Sequence, residues 1–272
     1  LSEQPPRPSS PLPPPDTPPG AEVAVLATCL ADAFAPEVAA AALALVRGTG
    51  ARAEAVRYGC CGQPAWNAGR IAEARAMAAT LLPRLAHYAT IVVPSGSCAA
   101  MMIRNYPHLF PADSPWAEQA RSVAGRTVEL TAYLAPVAAA VPWAPEPAGP
   151  CALHRSCHTL RGSGAPEAPL RCLQAAGCPL VPFADDQECC GFGGLFAVNE
   201  PALSTAMADR KLQALQQAGV STVISTELGC LLHLEGRADR LGIGLRFRHV
   251  AEVLYARWAK ADGAGPTRQE GG

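Results

Sequence analysis

Long apolar runs are missing from this chain: no stretch approaches the roughly 20 consecutive apolar residues that a membrane-spanning helix needs. The N-terminus also lacks the basic start and apolar core of an export signal, so a cytoplasmic protein is expected. No charge of either sign dominates. The 22 lysines and arginines nearly balance the 23 aspartates and glutamates of the 272 residues, for a formal net charge of −1. Nothing therefore marks out a surface for a phosphate backbone or an anionic membrane, and nucleic acid is not expected as a partner. There is no Cys-x-x-Cys knuckle of the kind that zinc sites favour. A full dinucleotide fingerprint is absent as well, and GFGG at 191–194 resembles a phosphate loop only superficially.

What the chain does have is an apolar content of 49%, enough for a substantial core, and 11 cysteines. An odd count in a chain of this length with no export signal argues for reduced thiols rather than a disulfide framework. Eight of the cysteines form a repeat. One set is Cys29, Cys60, Cys61 and Cys98, and the other is Cys157, Cys189, Cys190 and Cys230. The intervals before the two vicinal pairs are 31 and 32 residues, those after them are 37 and 40, and each pair is followed by a glycine, Gly62 or Gly191.

The rest of the sequence replays in the same two halves. Residues 1–20 are dominated by proline and read as a disordered tail. Residues 21–140 form a first cysteine-rich domain, and VPWAPEPAGP at 141–150 is a proline-rich linker. Residues 151–260 form a second cysteine-rich domain, and 261–272 a flexible tail. Within each domain, short apolar strands alternate with alanine- and leucine-rich helical segments. AEVAVLATC runs to Cys29 and ATIVVPSGSC to Cys98; CALHRSC runs to Cys157 and VSTVISTELGC to Cys230. CPLVPFADDQE leads into the second vicinal pair as ARAEAVRYG leads into the first, and RHVAEVLYA at 248–256 echoes TVELTAYLA at 127–135. The fold class expected is α/β: two duplicated parallel-sheet lobes related by a pseudo-two-fold axis. Ligands of such sheets gather beyond the carboxyl ends of the strands, where all eight cysteines are expected, with the two sets near or facing one another.

Adjacent cysteines in an extended strand point to opposite faces, so a vicinal pair serves one site only where the chain turns sharply. Glycine permits such a turn and lets the backbone approach a bulky inorganic group. Four soft thiolates per half suit an iron–sulfur cluster, with a zinc scaffold as the alternative. A vicinal disulfide is disfavoured by ring strain. Cys151, Cys172 and Cys178 have no counterparts in the first half and read as small buried hydrophobes. His154, His158 and His233 flank the second set and read as satisfied or exposed histidines, with donation to sulfur as the other option. Asn67 and Asn199 fall at matching places after the two pairs, which helix capping also accounts for.

The segments TCLAD (28–32), CCGQPAWNAG (60–69), VVPSGSCAAM (92–101), SCH (156–158), ECCGFGGLFAV (188–198) and LGCLLH (228–233) resemble the lactate utilization protein A family. That family lies within the cysteine-rich superfamily that includes a heterodisulfide reductase subunit and the glycolate oxidase iron–sulfur subunit. The resemblance spans roughly residues 21–256. It implies that Cys29, Cys60, Cys61 and Cys98 hold one iron–sulfur cluster, of the 4Fe-4S type, and Cys157, Cys189, Cys190 and Cys230 another. It also implies electron transfer in the oxidation of L-lactate to pyruvate, beside companion subunits of which one is ferredoxin-like. One departure stands out. The heterodisulfide reductase pattern ends each set with Cys-x-x-Cys, whereas here Ser95 and Glu227 replace the earlier cysteine. Four thiolates per half suffice for a cubane cluster, and an oxygen ligand from Ser95 or Glu227 stays open. A self-contained disulfide-type reductase is the alternative enzyme. No catalytic residue for a 2-hydroxy acid is assignable from spacing.

Overall fold

A computed structural model describes residues 21–57, 59–144 and 149–261. The expected tail at 1–20, the centre of the expected linker at 141–150, and the expected C-terminal tail beyond Ala261 lie outside those residues.

The described residues form two parallel sheets. The first contains β1 (Glu22–Leu26), β2 (Arg52–Val56), β3 (Thr90–Val93) and β4 (Thr127–Glu129) in the order β2-β1-β3-β4. The second contains β5 (Cys151–Leu153), β6 (Thr222–Ser225) and β7 (Arg246–His249) in the order β5-β6-β7. Central strands such as β1, β3 and β6 are almost continuously apolar or small because helices cover both faces of each sheet. Opposite β6, the outer edge of β5 carries a single parallel bridge between Cys151 and Leu180. This bridge stands where β2 stands in the first lobe, so the segment expected to replay β2 shrinks to one residue. Pro179 and Pro182 flank that residue, and each removes a backbone donor that a longer ladder needs.

The lobes grip one another reciprocally, as a two-fold axis requires. Helix Val250–Ala261 of the second lobe lies on helix Pro36–Gly48 of the first. The Trp258 ring closes over Gly48 so tightly that a Cβ there would come within 2.2 Å of it. In the converse contact, helix Leu130–Leu134 of the first lobe lies on helix Ala168–Ala175 of the second, with the Cys172 thiol 3.4 Å from the Thr131 carbonyl oxygen. A continuous cluster of buried apolar side chains, including Val25, Leu45, Leu130, Ile224, Leu254 and Trp258, runs through this interface. Each lobe has a further cluster on the far face of its sheet. No helix among the described residues is long and apolar enough to cross a membrane.

Candidate metal centre

All the strands of a lobe point the same way, so the chain leaves each sheet along one edge. Cys29 opens helix Cys29–Phe34 after β1, and Cys157 opens helix Cys157–Gly162 after β5. Cys98 is the third residue of helix Gly96–Ala100 after β3, and Cys230 the third of helix Leu228–Leu241 after β6. The four cysteines expected at strand ends thus sit one step further on, in first helical turns. Side-chain caps set three of those turns: Thr28 accepts from the Ala31 amide at 3.4 Å, Ser156 from Thr159 at 3.2 Å and Ser95 from Cys98 at 3.3 Å.

The vicinal pairs are turned into their sites by the glycines that follow them. Gly62 has φ 85° and Gly191 φ 93°, a region that residues with a Cβ seldom enter. Each also lies against the helix that covers its lobe. A Cβ on Gly62 would stand 2.9 Å from the Ala74 carbonyl oxygen, and one on Gly191 2.5 Å from that of Ser204. Asn67 and Asn199 close the short helices Gln63–Asn67 and Phe196–Asn199 that follow, so their matching places mark helix ends rather than N-caps.

Each set of four converges. Cys61 Sγ is 3.2 Å from Cys98 Sγ, and Cys190 Sγ is 2.9 Å from Cys230 Sγ. Cys60 bridges Cys29 and Cys61 through thiol hydrogen bonds, as Cys189 bridges Cys157 and Cys190. The Gly62 amide adds a donor to Cys60 at 3.5 Å and the Gly191 amide one to Cys189 at 3.4 Å. These donors hold Cys60 and Cys189 well below the usual thiol range. Cys29 and Cys157 are pushed up, first by hydrogen bonding to those thiolates and then by burial; Cys61 and Cys190 are raised by the same causes, with added contributions from Cys98 and Cys230. In each set the first cysteine of the vicinal pair is the one that collects the hydrogen-bond donors.

Both sets open on one cavity of about 150 Å³ between the lobes, lined by every member of the two sets except Cys60. Cys60 and Cys29 line a separate shallow depression on the outer side. The contacts that enclose the cavity are again reciprocal: the Cys98 helix packs on the Cys157 helix, and the Cys230 helix on the Cys29 helix. Glycine makes both approaches possible, since a Cβ on Gly96 would strike Thr159 and one on Gly229 would strike Phe192 and touch Leu30.

Ser95 and Glu227 are the N-caps of the two helices that carry Cys98 and Cys230. The Ser95 hydroxyl donates to Glu227 Oε2 at 3.1 Å, and the same oxygen accepts the Ser97 amide at 2.8 Å. Glu227 thus caps the other lobe's helix in place of its own. Both residues line the cavity beside the cysteines, and both hydrogen bonds join the two lobes.

The two centres are not identical. Three residues before each first cysteine, the first lobe has Leu26 and the second His154. In the helices packed on the glycines, the place of Leu81 is taken by Lys211, counting from Ala74 and Ser204. Lys211 is 1% exposed, and its ammonium donates to the Asp185 carbonyl oxygen. His154 is also 1% exposed, and neither ring nitrogen has a hydrogen-bond partner among the described residues. The reading of His154 as a satisfied or exposed histidine therefore fails; aligning the two halves at their first cysteines would have flagged it, because a leucine stands opposite. His158 is half-buried, with Nδ1 3.5 Å from Cys157 Sγ and Nε2 3.4 Å from Gln63 Nε2 of the first lobe. His233 lies 3.4 Å from the Ser204 hydroxyl, on the far side of that helix contact. Cys151, Cys172 and Cys178 are buried in the core, as expected of small hydrophobes.

The cysteine-rich domain model named CCG matches this chain twice, at residues 23–103 and 151–235. Lactate utilization protein A of Geobacillus kaustophilus is 39% identical over 238 residues, covering 87% of this chain and 99% of that one. Lactate utilization protein A of Geobacillus thermodenitrificans is 37% identical over the same shares, and lactate utilization protein A 2 of Bacillus cereus strain Q1 is 36% identical over 86% of this chain and 97% of its own. With both halves matched by the domain model and nearly the full length of these relatives covered, the chain belongs to the lactate utilization protein A family, built from two CCG cysteine-rich domains.

Proposed function

We propose that this protein is an iron–sulfur electron-transfer subunit of a complex that oxidises L-lactate to pyruvate. The observation that carries the proposal is the convergence of two four-thiol sets on a single inter-lobe cavity. Four soft sulfur ligands per set and a left-handed glycine beside each vicinal pair fit a cluster of iron and sulfide. Cys29, Cys60, Cys61 and Cys98 would hold one such group, and Cys157, Cys189, Cys190 and Cys230 the other. An iron–sulfur cluster supplies one-electron transfer where it is bound.

The chain's own contribution is placement. Gly62 and Gly191 turn the vicinal thiols into the sites, and the reciprocal helix contacts set both sites on one cavity. The Ser95–Glu227 hydrogen bond spans the two lobes at the cavity. Lys211, buried and bonded to the Asp185 carbonyl oxygen, puts a basic group in the second lobe where the first has Leu81. The named relatives support the role in lactate utilization, and the resemblance to that family implies companion subunits as partners, one of them a ferredoxin-like iron–sulfur protein.

Anaerobic purification with iron and acid-labile sulfide counting tests the proposal. Both elements are expected, with broad absorption near about 400 nm. Cys61→Ala and Cys190→Ala should each remove the part of the iron that belongs to one lobe. Zinc without sulfide would overturn the electron-transfer role in favour of a scaffold, and full iron retention in either variant would remove that cysteine from the ligand set.

A further inference from the structure

We propose that His154 is a nitrogen ligand in the second centre, so that the second lobe offers a mixed sulfur and nitrogen donor set where the first offers sulfur alone. The inference rests on the reading of the second cysteine set as a metal centre. A ring nitrogen of His154 and the Sγ atoms of Cys190 and Cys230 all lie within 4.8 Å of one another, and all three residues are buried. That is a span one metal ion can bridge with bonds of ordinary length.

The imidazole has no other employment. Both its nitrogens are buried without a hydrogen-bond partner among the described residues, a condition that native interiors rarely leave uncompensated. Packing does not call for it either. Leu26 fills the equivalent place in the first lobe at 1% exposure, so an aliphatic side chain satisfies the same position on a similar strand end. What distinguishes the second lobe is a polar lining: His154 and Lys211 stand where the first lobe has Leu26 and Leu81. Imidazole is a ligand for iron as well as for zinc and cobalt.

The test uses the full chain carrying Cys61→Ala, which leaves the second centre to be observed alone, with and without His154→Leu. The leucine copies the first lobe and should preserve the fold, to be checked by circular dichroism and thermal melting. After anaerobic loading with iron and sulfide, pulsed paramagnetic resonance of the reduced protein should show strong nitrogen hyperfine coupling that His154→Leu abolishes. In parallel, metal-free reduced protein is titrated with cobalt(II). The variant should bind it at least tenfold more weakly, with ligand-field bands displaced toward those of an all-sulfur site. Identical cobalt spectra and affinities in the two proteins, or strong nitrogen coupling of the size expected for a metal-bound imidazole that survives the substitution, would overturn the assignment; the weak coupling of amides that donate to sulfur, such as that of Gly191, is expected in both. Failure to take up iron while cobalt binding still depends on His154 would count against the iron–sulfur reading and leave the histidine ligand standing.

Discussion

Ser95 and Glu227 hydrogen-bond to one another across the lobe interface, at the two positions where the five-cysteine heterodisulfide reductase pattern would carry a cysteine in each half. Each residue stands three places before the last cysteine of its set, at the N-cap position of the helix on which that cysteine rides; Ser95 caps its own helix, whereas the Glu227 carboxylate caps that of the other lobe. The two replacements are chemically unlike, one a neutral hydroxyl and the other a carboxylate, and that difference is what lets them pair. Two cysteines at these places would face each other over the same cavity. Here a donor and an acceptor close the gap, and Glu227 also takes the Ser97 amide.

If this bridge joins the lobes energetically, Ser95→Ala and Glu227→Ala should not be additive. Hydrogen bonds to a charged group contribute about 1.5–3 kcal/mol, and loss of the Ser95 cap adds about 1 kcal/mol to that single variant. A double-mutant cycle in urea should give a coupling of about 1–2 kcal/mol. Additivity within about 0.5 kcal/mol would mean that the contact adds nothing to the joining of the lobes.

The vicinal glycines offer a second test because their environments differ in severity. Alanine at either position must adopt a left-handed conformation, costing about 1–2 kcal/mol. It must also displace a helix carbonyl, which stands 2.9 Å from the new Cβ at Gly62 and 2.5 Å at Gly191. Gly191→Ala should therefore be the more destabilising, and iron loss should be confined to the second lobe. Equal iron content in wild type and Gly191→Ala would show that the turn does not position Cys189 and Cys190.

The duplicated Cys-Cys-Gly spacing and the alternation of apolar strands with helices were enough to read two parallel-sheet lobes from the sequence and to expect each set of four cysteines to gather beyond its own sheet. Both signals are local and periodic. The shrinkage of the β2 counterpart to Leu180 was also written in the flanking prolines, but the duplication masked it. The Ser95–Glu227 bridge was not legible, since 132 residues separate its partners and only the lobe interface makes them neighbours. His154 illustrates a different limit. Its spacing from Cys157 was visible, but its want of hydrogen-bond partners depends on what Cys190, Cys230 and Lys211 leave around it.

Lys211 gives a prediction about electron affinity. A buried ammonium favours the more negative state of a nearby centre, and no equivalent cation stands at Leu81 of the first lobe. Burial pulls the lysine below its usual range, and interaction with Cys190 and Cys230 works against that fall. A unit charge acting through an effective dielectric near 20 is worth roughly 1–2 kcal/mol, or on the order of 50–100 mV for one electron. Lys211→Met should lower the reduction potential of the second centre by that amount in a redox titration and leave the first unchanged. An equal shift in both centres, or none, would rule out this local effect.

Glu129 and His249 close the corresponding strands β4 and β7, and each accepts an amide of the helix that follows. The Thr131 amide donates to Glu129 Oε2 at 2.8 Å, and the Ala251 amide to His249 Nδ1 at 3.2 Å. Burial raises the Glu129 carboxyl from 4.5 to about 7 and lowers the His249 imidazole from 6.5 to about 4. Between pH 4.5 and 7 the folded chain keeps a Glu129 proton that the unfolded chain has released, so this contribution is complete below 4.5 and is lost as pH rises to 7. His249 works in the opposite sense. The unfolded chain takes up a proton that the folded chain refuses, so its contribution is present above 6.5 and is lost as pH falls to 4. Each shift corresponds to roughly 3 kcal/mol when fully expressed. Glu129→Gln keeps an acceptor for the Thr131 amide and removes the charge. In urea denaturation of the metal-free protein, it should therefore gain about 2–3 kcal/mol relative to wild type on going from pH 4.5 to pH 8. A difference between the two proteins that stayed constant over that range would show that Glu129 does not change its protonation on unfolding.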